Sequence, residues 1–177
     1  LTLSFGPSDA RAWWLIDMAR MQADRMAGRL RDLSQDIPKG LTPARETMLV
    51  FLKEVERYLN ADPRKTILGG FSQGAMLSCD VMLRTVQPYA GLIQLSGTLL
   101  AAQEWAPLLP KRKGLPVFQS HGIQDEILPH PGAERLRDSL THAGLSVEWH
   151  SFRGGHEIPR AVLKRLGPFI TKVVTRT

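Results

Sequence analysis

The chain has one cysteine in 177 residues, two tyrosines and five histidines. A lone Cys79 excludes an internal disulfide and fits a reducing compartment, so a cytoplasmic setting is expected. Its neighbours Met76, Leu77, Val81 and Met82 make it a core side chain rather than a reactive thiol. No run of about 18 apolar residues occurs, so no integral membrane segment is expected. Internal repeats and low-complexity linkers are also missing, and the chain reads as one domain over residues 1–177. The histidines lack the paired spacing of a metal site, and no metal is expected. The net charge of +6 invites a nucleic-acid reading. Arg20, Arg25, Arg29 and Arg31 lie on or near one helix, and Lys111-Arg112-Lys113 forms a basic loop. Aromatic residues make up only 7% and are not interleaved with these cations as a base-stacking platform requires. A solvated surface is the expectation, with attraction to anionic lipid or acidic substrates as the alternative.

What is present is a regular alternation. Residues 15–33 have the pattern of a helix. Thr42-Pro43 reads as an N-cap and first-turn proline for a second helix, with Leu49, Leu52, Val55 and Leu59 at helical spacing. Strands are expected at residues 66–68, 89–95, 116–122 and 146–152. Helices are expected at 75–86, 103–109, 131–142 and from Pro159 onward, the last bent or broken at Gly167-Pro168. Strands alternating with helices predict an α/β fold, a mostly parallel sheet covered on both faces.

Between the first strand and its helix stands Gly70-Phe71-Ser72-Gln73-Gly74, a G-x-S-x-G run. A serine on so sharp a strand-to-helix turn is held in a strained backbone with its hydroxyl clear of the sheet. Flanking glycines are expected because a Cβ would collide with neighbouring chain. The following helix aims N–H groups and a positive dipole end at any anion formed there. A serine nucleophile needs a base, and the base needs a carboxylate to fix its tautomer. Asp125 follows the strand ending at Gly122, and His156 follows the strand ending at Phe152, in the loop Arg153-Gly154-Gly155-His156. Ser, Asp and His thus come in the order of a hydrolase of this architecture. Glu126 and Glu157 neighbour two of these positions and are expected to point away. His121 reads as a structural hydrogen-bonder, and His130, His142 and His150 as surface groups.

Gly69-Gly70-Phe71-Ser72-Gln73-Gly74-Ala75, Leu95-Ser96-Gly97, His121-Gly122-Ile123-Gln124-Asp125 and Gly154-Gly155-His156-Glu157-Ile158-Pro159 resemble the motifs of the phospholipase/carboxylesterase family of α/β-hydrolases. That family includes the acyl-protein thioesterases. The resemblance runs in order through nearly all of the chain, and Arg11-Ala12-Trp13-Trp14-Leu15-Ile16-Asp17 is similar to the family's tryptophan segment. It implies Ser72 as nucleophile, Asp125 as acid, His156 as general base and the Gln73 backbone N–H as one oxyanion donor, with no cofactor. The family's early strands and the His-Gly loop that carries the second donor are absent from this chain. The expectation is that Leu1 is not the biological N-terminus and that roughly 40 to 60 residues precede it. Loss of one oxyanion donor is expected to lower turnover by about 100- to 1000-fold.

Trp13, Trp14, Leu99 and Leu100 are candidate walls of an acyl site, with core packing as the other reading for the tryptophans. With no long insertion between Gly97 and Val117, any lid is small. The expected activity is hydrolysis of short-chain or soluble acyl esters through an acyl-enzyme. The alternatives are an acyl-protein thioesterase or lysophospholipase, or a catalytically impaired hydrolase-fold binding module. The expected partner is a small acyl ester or thioester, not nucleic acid; a homo-oligomer stays open.

Overall fold

A computed structural model describes residues 11–15, 17–28 and 32–175. Its centre is a four-stranded parallel sheet in the order β1-β2-β3-β4. The strands are β1 (Ile67–Phe71), β2 (Gly91–Leu95), β3 (Pro116–Gly122) and β4 (Ser146–Phe152). The interior strands read as apolar runs because both faces are covered: Leu92, Val117 and Phe118 have no exposure. Gln94 and Gln119, partners in register and equally buried, interrupt these runs, as do Ser120 and His121 at the end of β3. Each side-chain amide donates to the carbonyl of a helix residue, Gln94 to Ala75 and Gln119 to Ala133, both at 2.8 Å.

Helices α1 (Met18–Met26), α2 (Leu41–Leu59), α3 (Gln73–Arg84), the short α4 (Ala102–Trp105), α5 (His130–His142) and α6 (Arg160–Val174) complete the order. Each β-to-β connection advances one strand in the same direction. Right-handed crossovers repeated that way place their helices on one face. There α2, α3, α4 and α5 share one core, with Leu77, Met82, Trp105, Leu136 and Leu140 at its centre. The other face is covered by α6, through Val162, Phe169 and Val173 against Leu95 and Phe118. Buried Asp80 ties the first group together. It accepts from Arg45 on α2 at 2.8 Å, from Arg84 at 3.0 Å and from the Trp105 indole N–H at 2.8 Å.

Several local expectations are corrected. The first helix ends at Met26, ahead of Gly28 at φ +63, where a left-handed residue closes it. Arg29 and Arg31 lie outside the described residues. The second helix starts at Leu41, one residue before Thr42; its N-cap is Gly40, and the Thr42 hydroxyl accepts from Arg45 instead. Pro168 sits inside an unbroken α6. The carbonyl it deprives of a partner belongs to Lys164, and both residues are exposed, on a face of α6 that is open to solvent. Arg112 of the basic loop is structural: its guanidinium donates to the carbonyls of Thr85 and Gln87 beyond the end of α3. His142 is exposed as expected. His130 and His150 are not: the side chain of each is 16% exposed, covered by Trp149 and Phe118 respectively.

Among the described residues, no helix is long and apolar enough to cross a membrane, and no group of three metal-capable side chains occurs.

Candidate active site

Because all four strands run the same way, Ser72 after β1, Asp125 after β3 and His156 after β4 emerge at one edge of the sheet. Open α/β sheets bind their ligands at this carboxyl edge. β1 and β4 are three strand spacings apart, about 14 Å. The loop after β4 closes that gap by folding back over the neighbouring strand ends. Gln124 N–H donates to Gly154 O at 2.9 Å, the Ser96 hydroxyl donates to Glu157 O at 3.3 Å, and the His156 ring packs against Phe71 at 4.7 Å between centroids, tilted by 47°. Gly122 permits the approach: a Cβ there would stand 2.2 Å from the carbonyl oxygen of Gly155.

Ser72 sits at φ 55, ψ −120, a strained conformation for a residue with a Cβ. Its N–H donates to Leu95 O at 2.9 Å, and its carbonyl accepts from Ala75 and Met76 at the start of α3. The N–H of Gln73 precedes the first bond of the helix and has no acceptor among the described residues. The turn is tight on one side only. A Cβ on Gly70 would lie 2.3 Å from the carbonyl carbon of Gly74, whereas one on Gly74 would meet nothing within 4 Å. The expectation of steric need holds for Gly70 and is corrected for Gly74.

Asp125, not Glu126, meets the histidine: its Oδ2 accepts from His156 Nδ1 at 2.7 Å. Its Oδ1 accepts from the N–H groups of Ile127 at 2.9 Å and Leu128 at 2.8 Å. His121, fully buried, brings its Nε2 to 3.3 Å from the same Oδ2 and 2.7 Å from the Leu128 carbonyl. Only a protonated Nε2 serves these acceptors, which fixes the His121 tautomer. Burial pushes the Asp125 carboxyl up. The hydrogen bonds from His121, His156 and the Leu128 N–H outweigh it and hold the group well below the usual carboxylate range. An ionised Asp125 is acceptor-only, so Nδ1 of His156 carries a proton, and in the neutral ring Nε2 is the nitrogen with the lone pair. Glu157 turns away toward the Gly155 N–H. No hydrogen bond joins Ser72 to His156 among the described residues.

Beside Ser72 lies a cavity of about 260 Å³. Trp14, Met76, Leu100, Ile127 and Leu128 are among its walls, with Asp17, Arg20 and Asp36 toward the α1 side. Of the four residues proposed as acyl walls, Trp14 and Leu100 line it. Trp13 does not; it is 41% exposed. Leu99 does not either; it lines a separate cavity between α4 and α5. The two adjacent leucines thus face different cavities just ahead of α4. Met76 was legible in principle: it lies one helical turn beyond Ser72 and Gln73. Nothing in the sequence marked the Gln73 side chain.

A model of the phospholipase/carboxylesterase family matches residues 26–174. The chain belongs to the phospholipase/carboxylesterase family. Acyl-protein thioesterase 1 of Neurospora crassa is 32% identical over 124 residues, which are 68% of this chain and 50% of that protein. Lysophospholipase-like protein 1 of Mus musculus is 26% identical over 148 residues, 78% of this chain and 60% of that one. The crystal structure of esterase PE8 superposes with a TM-score of 0.74 at 27% identity, covering 91% of this chain and 69% of its own. The chain thus has the α/β-hydrolase fold of the phospholipase/carboxylesterases and spans about half the length of the curated relatives it matches.

Proposed function

We propose that the chain is a serine hydrolase that cleaves carboxylic esters or thioesters through an acyl-enzyme on Ser72. The observation that carries this reading is the 2.7 Å Asp125–His156 pair folded back to the strained Ser72 turn. His156 Nε2 takes the hydroxyl proton as Ser72 Oγ attacks the acyl carbonyl. Asp125 stabilises the imidazolium that forms. The free Gln73 N–H, at the positive end of α3, holds the oxyanion. The imidazolium then protonates the departing alcohol or thiol, and water activated by the same nitrogen releases the acid. Such hydrogen bonds are commonly long before substrate arrives, so an unmade Ser72–His156 bond is compatible with His156 as the base.

The apolar walls beside Ser72 suit an acyl chain. At about 260 Å³ the cavity lies just under the usual 300–1,000 Å³ of small-molecule sites, which favours short or medium acyl groups. Relatives named for thioester and lysophospholipid chemistry make a soluble thioester an equally direct substrate. The test is labelling with a fluorophosphonate probe, read by mass spectrometry. Labelling at Ser72, abolished in Ser72→Ala with the circular dichroism spectrum unchanged, is expected. Labelling that survives in Ser72→Ala ends the assignment.

A further inference from the structure

The side chain of Gln73 has no part in the mechanism above, yet it is buried and engaged at both its oxygen and its nitrogen. Its Oε1 accepts the Trp13 N–H at 3.0 Å, and its Nε2 donates to the Trp14 carbonyl at 3.1 Å. One amide thus reads two successive backbone groups some 60 residues away, and a two-point contact fixes orientation as well as position. Trp14, 5% exposed, is braced from behind by Gly40, where a Cβ would stand 2.5 Å from the Trp14 Cβ. The residues on either side of Trp14 are exposed, Trp13 at 41% and Leu15 at 72%. Trp14, Gln73 and Ser72 line the same cavity. The wall of the acyl site and the oxyanion donor are therefore tied together through one residue.

We infer that Gln73 is a specificity-determining residue: its side chain pins Trp14 as a fixed wall and so limits the length of acyl group the cavity accepts. This rests on the reading of Ser72 as an acylated nucleophile. It is separate from the role of the Gln73 backbone N–H, which any residue here would supply. Methionine fills the same volume and makes neither bond. Glutamate keeps the acceptor for Trp13 and loses the donor for Trp14. Without the clamp, the close approach of Gly40 and apolar packing remain to hold Trp14 among the described residues. The wall yields to longer chains, and discrimination by pocket size falls.

The experiment compares the wild-type chain with Gln73→Met and Gln73→Glu on p-nitrophenyl butyrate and p-nitrophenyl dodecanoate. Hydrogen exchange at the Trp13 amide is followed in parallel by NMR. In Gln73→Met the butyrate-to-dodecanoate ratio of kcat/KM is expected to fall by at least about tenfold, the scale on which apolar pockets separate chain lengths, and the change should sit in the two KM values. The Trp13 amide should lose protection in Gln73→Met and keep it in Gln73→Glu. An unchanged ratio with protection lost would overturn the specificity role, and unchanged protection would overturn the clamp itself. Should Gln73→Met fail to fold, Gln73→Glu carries the same substrate comparison. Should the wild-type chain fail to label at Ser72, the catalytic reading falls separately. Binding of butyrate and dodecanoate, followed by tryptophan fluorescence, then decides: a relative gain for dodecanoate of about tenfold in the variant supports the wall, and none overturns it.

Discussion

Asp125 and Ser72 stand at the same sheet edge and are held in contrasting ways. The carboxylate fills both oxygens: two backbone N–H groups on Oδ1, the His156 ring on Oδ2 at 2.7 Å, and a second, fully buried histidine at 3.3 Å. The serine is held through its backbone alone, its N–H to Leu95 and its carbonyl from Ala75 and Met76, at a strained φ of 55, with open space beside Gly74 among the described residues. Among the described residues, its strand pairs on one side only, with β2. The wall beside it hangs on one glutamine amide. A buried charge has no choice but to be surrounded, because each unfilled lone pair away from water costs about 1–3 kcal/mol. A neutral hydroxyl carries no such demand. The carboxylate side is therefore held by electrostatic demand, while the serine side is held by backbone geometry and the Gln73 contact to the Trp13–Trp14 backbone.

The largest way to break that contrast is to change the charge and keep the shape. Asp125→Asn retains an oxygen for Ile127 and Leu128 but turns a donor toward His156, which moves the ring proton to Nε2 and removes the base. Turnover should fall on the order of 10⁴-fold with the fold intact, measured as kcat on p-nitrophenyl butyrate beside a thermal melt. The same variant has a pH signature. Asp125 titrates below its unfolded value of about 3.9. Its contribution to stability is therefore complete above about pH 4 and drains away as pH falls further. Acid unfolding of Asp125→Asn should be shallower than wild type below about pH 4 and parallel to it above. Parallel curves throughout would mean that the carboxylate is not held by its partners.

His121 separates the brace from the chemistry. His121→Leu removes the donor to the Leu128 carbonyl and to Asp125 Oδ2 and leaves both in a dry interior. The expected loss is about 2 kcal/mol, a fall in Tm of about 4–8 °C for a chain of this size. His156 keeps its own bond to Asp125, so labelling of Ser72 should survive in the folded fraction. Full loss of labelling in well-folded protein would instead place His121 in the proton path.

Much of this arrangement was legible because it rests on pattern. The segment 116–122, ending in a glycine turn, and the alternation over 146–152 match the limits of β3 and β4. Order and spacing brought Ser72, Asp125 and His156 to one edge, since a parallel sheet leaves no alternative. The errors fall where a tertiary contact outweighs local propensity. Pro168 reads as a breaker until its exposed face is known. Leu99 and Leu100 are indistinguishable in sequence, and only the path of the folded chain sends them to different cavities. The Gln73 clamp joins segments far apart in the chain, and no local pattern encodes its partner.

The smallest expected effect tests the claim that the serine side is loosely packed. Gly70 has no room for a side chain, but the space beside Gly74 is open, and its backbone is already helical in the first turn of α3. In helices glycine is less stable than alanine by about 0.5–1 kcal/mol, because it gives up more chain entropy on folding. Gly74→Ala should therefore raise Tm by about 1–4 °C. The serine side would then owe its geometry to the turn at Gly70 and Ser72, not to close packing on both flanks. A lower Tm would show that something fills the space beside Gly74, and the nucleophile would be as tightly enclosed as the acid.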